Sequence, residues 1–414
     1  MSFFLIKNVS IVDGTGRALI KDQALLVDDK TISWFGPTDA HPPIDPARVI
    51  DGNGHTLLPG LINCHVHLSA DGNPDLQAQV KNDTIPLATL RGAKSALRGL
   101  FAGVTSVRDC GAADDIAIEL GKAISHGAIV GPRVKAAGRV ITMTGGHGHF
   151  IGVEADGHDA VTKATRAEIK RGAHFIKVMA TGGVLTEGVS PLQTAYMPEE
   201  LLAVAREAHN AGRRVATHAI GSDGIKNALR AGIDSIEHGI YLDDEALDLA
   251  VSSGAYLVPT LSAVNQIAKN GDGGAMPSWV VAKAEMVMEK QRESFKAAVD
   301  SGMRIAAGTD AGTPFNRHED FWMEMKLLVE YGLTPLQAIT ASTKSAAENI
   351  DSANTVGTIQ IGKIADLILV QGDPTQDISV MEKVKLVVKD GEIYRDEISD
   401  PLFKSSALPR ISLY

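Results

Sequence analysis

The chain has 414 residues, 44% hydrophobic and 22% charged, with a formal net charge of -10 and two cysteines. That composition fits a globular protein able to enclose a deep site in one large domain with an added lobe. The acidic balance and the lack of long Lys/Arg runs exclude a nucleic-acid or anionic-membrane surface, because both need a positive footprint. No apolar stretch reaches the length of a membrane span or of a signal-peptide core.

Residues 4–12, 23–27, 31–35 and 56–58 read as short strands, punctuated by Asp13-Gly14, Gly36-Pro37 and Gly52-Asn53-Gly54. They predict a small β lobe. After Pro59 the texture changes to buried-type apolar runs alternating with amphipathic segments, the pattern of a parallel sheet wrapped by helices. Strands are predicted at 61–67, 104–109, 133–137, 175–179, 215–218, 235–238, 256–260 and 304–310. Helices are predicted at 114–125, 159–171, 198–211, 223–231, 243–252, 277–299, 321–331 and 334–350. Pro198 in a first turn and Gly212 after a last one illustrate how their ends are marked. Eight strands with intervening helices predict an α/β fold, a (β/α)8 TIM barrel.

Past Asp351 the β texture returns at 357–359, 365–370, 383–389 and 391–394. Neither end of the chain is large enough to close a core alone, so the two are expected to join in one composite β-sandwich lobe. The predicted division is 1–58 for the N-terminal part of that lobe, 59–350 for the barrel and 351–414 for the C-terminal part. Cys64 and Cys110 lie in separate apolar runs, without the spacing of a disulfide framework, and imply a reducing, cytoplasmic setting.

Barrel active sites lie where the strands end. The first strand ends in His65-Val66-His67, whose spacing puts both rings on one face. Lys177 ends the fourth strand, His218 the fifth, His238 the sixth and Asp310 the eighth. A lone strand-end histidine is more often structural than a ligand, but four imidazoles and a carboxylate on one face point to metal. An ammonium among them would be repelled by the cation. Lys177 therefore either loses its charge, as by reacting with carbon dioxide to a carbamate bridging two metals, or turns away to a carboxylate such as Glu187.

These residues, in Phe175-Ile176-Lys177-Val178, Ala216-Thr217-His218-Ala219, Ile236-Glu237-His238-Gly239 and Ala307-Gly308-Thr309-Asp310, make the chain resemble the amidohydrolase superfamily, in its form with a binuclear metal centre. Pro59-Gly60-Leu61-Ile62 and the tail from Gly357 to Leu367 are similar too, so the likeness spans nearly the whole chain. It implies that the more buried metal takes His65, His67 and Asp310, and the other His218 and His238. Lys177, as N6-carboxylysine, would bridge both. Two divalent ions are implied, zinc first, with iron, manganese and cobalt as alternatives. A bridging hydroxide would attack, with Asp310 as the catalytic proton shuttle.

Mononuclear deaminases of the superfamily lack the bridging lysine, and His218 is followed here by Ala219-Ile220-Gly221, which ranks deamination low. Gly145-Gly146-His147-Gly148-His149, Ala180-Thr181-Gly182-Gly183-Val184 and His238-Gly239-Ile240-Tyr241 are instead similar to the branch of prolidase-like Xaa-Pro and Xaa-Arg dipeptidases and carboxypeptidases. That branch implies cleavage of a dipeptide or N-acyl amino acid. Its carboxylate needs donors, for which His147 and Tyr241 are the candidates and His149 a weaker one. The alternative is hydrolysis of cyclic amides, as in imidazolonepropionase, or of lactones or phosphotriesters, and the least favoured reading is a non-catalytic metal-binding barrel. Arg108-Asp109 is expected to be a mutually satisfied buried pair, and the Gly-rich segment 270–274 a mobile rim or a plain loop. The partner is a small molecule, with no nucleic acid and no membrane, and a homo-oligomer is left open.

Overall fold

The strands of the central region are buried along their whole length, as strands covered on both faces must be. Leu61–Val66, Val104–Asp109, Ile176–Met179, Val215–Ala219 and Ser235–His238 each bury every residue. The computed structural model describes residues 3–43, 48–271 and 274–399. Asp272 and Gly273, in the segment read as a rim, and the end of the chain from 400 onward lie outside the described residues.

The architecture is α/β. One parallel sheet has seven strands and a second has three, Leu61–Val66, Val104–Asp109 and Arg133–Ala136. Single backbone bonds outside the regular ladders run between the three-stranded sheet and residues that flank the other. Cys64 N–H donates to Ala307 O at 2.9 Å, Asp310 N–H to His65 O at 2.8 Å, and His174 N–H to Ala136 O at 2.8 Å. The expected third strand stands at Arg133–Ala136, and a short strand the sequence reading did not predict, Val140–Thr142, follows in the other sheet. The expected eighth strand has regular pairing only over Arg304–Ile305, and the chain runs on irregularly from there to Asp310.

Strands from the two ends of the chain meet in one eight-stranded sheet, where Leu367–Gln371 pairs antiparallel with His55–Pro59. Its own core includes Ile6, Leu25, Leu57, Leu367 and Leu386.

Most helices stand where the pattern put them. Pro198–Asn210 begins with its proline, and the Glu200 carboxylate accepts the Met197 N–H at 2.8 Å. The sequence reading missed Leu76–Asn82, Ile85–Phe101 and Leu261–Asn270. Gly92 and Gly99 lower the propensity of Ile85–Phe101, and Gly92 is there for packing: a Cβ on it would lie 2.4 Å from Leu120 Cδ1. Leu261–Asn270 starts straight after a strand, so its first residues read as the strand's continuation. Among the described residues no helix is long and apolar enough to cross a membrane.

Candidate metal centre

Strand ends bring His65, His67, Lys177, His218, His238 and Asp310 together on the floor of one cavity. The rings of His65 and His67 lie 5.4 Å apart, His65 and His238 5.3 Å, His218 and His238 4.5 Å. His238 (φ 72°), Asp310 (φ 60°) and Thr260 (φ 50°) hold left-handed backbone, a conformation that β-branched Thr260 in particular resists. Such strain persists only where the surroundings over-determine it, and it clusters at functional sites.

Each of the four histidines has one ring nitrogen held by a group outside the ring of candidate ligands. His67 Nδ1 donates to Gly111 O at 2.7 Å and His218 Nε2 to Gly182 O at 2.8 Å. His238 Nδ1 donates to Thr260 Oγ1 at 2.7 Å, whose own proton goes to Pro259 O. His65 Nδ1 donates to Glu237 Oε2 at 2.8 Å. These bonds fix ring orientation and leave one lone pair on each imidazole for a metal.

The donor set is one that could hold a cation. Asp310 Oδ1 lies 3.1 Å from His67 Nε2 and 3.4 Å from His65 Nε2, and it is buried with no hydrogen-bond partner. With both Nδ1 atoms as donors, three lone-pair atoms face one another, an arrangement that a cation between them would satisfy. His65, His238 and Asp310 offer ligand atoms within 4.8 Å of one another. A second such group, His65, Cys110 and Glu237, fits poorly, because burial pushes the Cys110 thiol up to about 12 and Glu237 is already bound to Arg108.

Electrostatics agree with that reading. Burial, then the Lys177 ammonium, lowers His65 to about 4, and burial takes His218 and His238 well below the usual imidazole range. They are neutral at neutral pH, the form in which an imidazole can bind a metal. Burial would also depress His67, but the adjoining Asp310 carboxylate outweighs it and raises it. Burial would raise Asp310, yet His65 and His67 hold it well below the carboxylate range. Lys177 is 1% exposed and its Nζ lies 3.5 Å from His65 Nε2. Among the described residues no carboxylate lies within ion-pair distance of Lys177, Glu187 included.

Arg108 and Asp109 do not satisfy each other. Asp109 accepts the N–H groups of Leu68 and Gly111, while Arg108 binds Glu237 Oε1 at 2.5 Å and Ser235 Oγ at 2.9 Å. Adjacent residues of a strand point to opposite sides, which keeps the two side chains apart. Glu237 is thus the residue the sequence reading missed. A carboxylate inside a fully buried strand must have a partner, and that was the signal available.

The cavity above this floor has about 880 Å³ of space, part of it open to solvent, and its walls are apolar: Val80, Phe150, Val184, Ile240, Val264 and Ile267 among them. His147 lines it, with Nδ1 bonded to Thr186 Oγ1 at 2.8 Å and Nε2 free. Its ring lies flat on Gly183, where a Cβ would come within 2.5 Å of Nε2. Burial lowers His147 to about 3. The other two candidate donors stand off the lining: His149 turns Nδ1 to Gly146 O, and the Tyr241 ring packs beside the apolar cluster of Val184, Ile220 and Ile240.

Comparison with known proteins adds to this geometry. The model of the amidohydrolase family matches residues 56–394. Ochratoxinase of Aspergillus niger is 32% identical over 421 residues, 93% of this chain and 85% of that protein. The solved structure of a Xaa-Pro dipeptidase with methionine bound in its active site superposes with a TM-score of 0.89 at 35% identity, covering 95% of this chain and 100% of that one. A prolidase complexed with N-methylphosphonate-L-proline gives 0.88 at 32% identity, with 95% and 100% covered.

Proposed function

The chain belongs to the amidohydrolase family and is a hydrolase of amide bonds, and from that premise we propose that it cleaves a dipeptide or N-acyl amino acid at two divalent metal ions, zinc first. His65, His67 and Asp310 would hold one, His218 and His238 the other, and Lys177, as a carbamate, would be a ligand shared by both. The observation that carries this reading is the set of lone pairs facing Asp310 Oδ1, each histidine pinned by its other nitrogen. A buried lysine with no anion near it supports the carbamate, which would turn a repelled cation into an anionic ligand.

When bound, the metal pair lowers the pKa of water and polarises the scissile carbonyl. The Asp310 carboxylate would accept the water proton and pass it to the leaving nitrogen. Its depressed pKa keeps the carboxylate ionised to begin with. His147 Nε2, which lines the cavity, binds the substrate carboxylate. Two of the similar structures contain methionine and N-methylphosphonate-L-proline, and an amino-acid carboxylate is what such donors recognise. The apolar walls favour an apolar side chain.

The reading includes a barrel closed between the first and last strands, which the bonds from Cys64 N–H to Ala307 O and from Asp310 N–H to His65 O support. It also keeps the division at 58/59 and 350/351, the composite terminal lobe and a reducing, cytoplasmic compartment, for which the two free buried thiols speak. The test is hydrolysis of a panel of dipeptides and N-acyl amino acids, with His147→Ala alongside. Unchanged turnover in that variant would remove the carboxylate from the reading.

A further inference from the structure

A second cavity, with about 500 Å³ of space, lies at the N-terminal ends of the strands Ile176–Met179 and Val215–Ala219, away from the cavity with the histidines. Lys135, His174, Arg213, Arg214 and Asn349 line it. Among the described residues Lys135, Arg213 and Arg214 have no carboxylate within ion-pair distance. Arg214 Nη1 donates to the Asn349 backbone O at 3.3 Å, a neutral partner, so the three cations around this hollow keep their charge uncompensated. Asp351 is the one acid on the rim, and it is exposed.

The remaining polar groups are donors as well. His174 Nδ1 accepts the Ala136 N–H at 3.2 Å, which puts the ring proton on Nε2. Both Lys135 and Arg213 act on that imidazole, adding to the burial that lowers it, so the three groups share one neighbourhood. Asn349 is 2% exposed, and neither its side-chain oxygen nor its nitrogen has a hydrogen-bond partner. Its nearest polar neighbour is the Cys64 thiol, a weak partner. Buried amides are normally satisfied, and an orphan one asks for a missing ligand or water. Arg108 also lines this hollow, but its charge is spent on Glu237.

We propose that the cavity bounded by Lys135, His174, Arg213, Arg214 and Asn349 is a binding site for a phosphate-type oxyanion. Guanidinium forks match paired oxygens of a tetrahedral anion, an ammonium supplies a point charge, and the histidine and amide N–H groups add directed bonds. The site is separate from the hydrolytic centre and has no part in the proposed reaction.

The test is titration of the metal-loaded protein with inorganic phosphate by calorimetry and by phosphorus NMR. Saturable binding is expected in the wild type. Lys135→Met/Arg213→Ala should weaken it on the order of tenfold or more, since each change removes a charge-assisted bond. Lys135→Arg/Arg213→Lys should retain it. Arg213 is exposed and Lys135 half-buried, so the fold and the hydrolytic activity should survive both variants. Phosphate is also expected to leave binding of a competitive dipeptide analogue unchanged. Absence of saturable binding, equal binding in the Met/Ala variant, or phosphate competing with the analogue would each overturn the proposal, the last by locating the anion at the metal centre.

Discussion

At the floor of the main cavity every imidazole is oriented by a second polar group, and the chain of bonds runs from His65 through Glu237 to Arg108 and Ser235. In the walls Val184, Ile240, Val264 and Ile267 are placed by packing in an apolar cluster, with no directed bond to fix a side chain. A floor of this kind sets what chemistry can happen, to within tenths of an ångström. A wall of this kind sets which side chains are welcome and tolerates change. Substitutions should therefore divide into those that abolish turnover and those that redistribute it.

The largest effect is expected at the floor. His65→Ala removes one of the lone pairs facing Asp310, and both metal content, by elemental analysis, and hydrolysis should fall to background. A fully active variant would sink the ligand assignment. Asp310→Asn keeps the shape but can no longer take the proton, and kcat should fall by about 10²–10⁴-fold. Loss in KM alone would show that Asp310 only shapes the pocket. One bond further out, Glu237→Gln keeps an acceptor for His65 but leaves Arg108 without its anion. Metal affinity should drop by about 10–100-fold, read by competition with a chromophoric chelator. An unchanged affinity would make the Glu237–Arg108 pair a matter of stability alone.

The same contrast explains what could be read from the sequence. The floor was legible because each candidate ligand is a polar residue in or just after a short apolar run, so that His65, Lys177, His218, His238 and Asp310 announced themselves without any knowledge of what lies opposite. Glu237 was not, because its partners His65 and Arg108 come from other strands, 172 and 129 residues away. The wall was even less legible. Val80 comes from a helix after the first strand, and Val264 and Ile267 from one after the seventh. The first is only seven residues long, and the second begins three residues after a strand ends, with no clear break in the apolar run to mark its start. In the same way Tyr241 and His149 sit beside plausible motifs, and only the packing of the loops decides that they stand off the lining.

Wall substitutions should act on choice rather than on chemistry. Val264→Ala widens the cavity by two methyl groups, and kcat/KM for a substrate with a large apolar side chain should fall by about tenfold, with metal content unaltered. Smaller substrates should lose less. A uniform loss across the panel would instead mean that the wall helix positions the floor.

The smallest effect on turnover, and the most telling on stability, is expected at Glu324, which ties that wall helix down. Its two carboxylate oxygens accept the N–H groups of Leu261 and Ser262 at 2.9 and 2.8 Å, at the start of the helix that presents Val264 and Ile267 to the cavity. Burial raises it to about 7, against the two N–H bonds that favour the anion. From its ordinary value of 4.5 up to about 7 the folded protein therefore holds this proton more tightly than the unfolded chain does. The contribution to stability is complete below the ordinary value and is lost as pH rises through 7, by about 3 kcal/mol for a shift of this size. Glu324→Gln does not titrate, so the stability difference between wild type and variant should shrink by that amount between pH 4.5 and 8, read from urea midpoints. A difference that stays flat would mean that the backbone N–H groups hold the carboxylate ionised throughout, and that the wall is fixed as firmly as the floor.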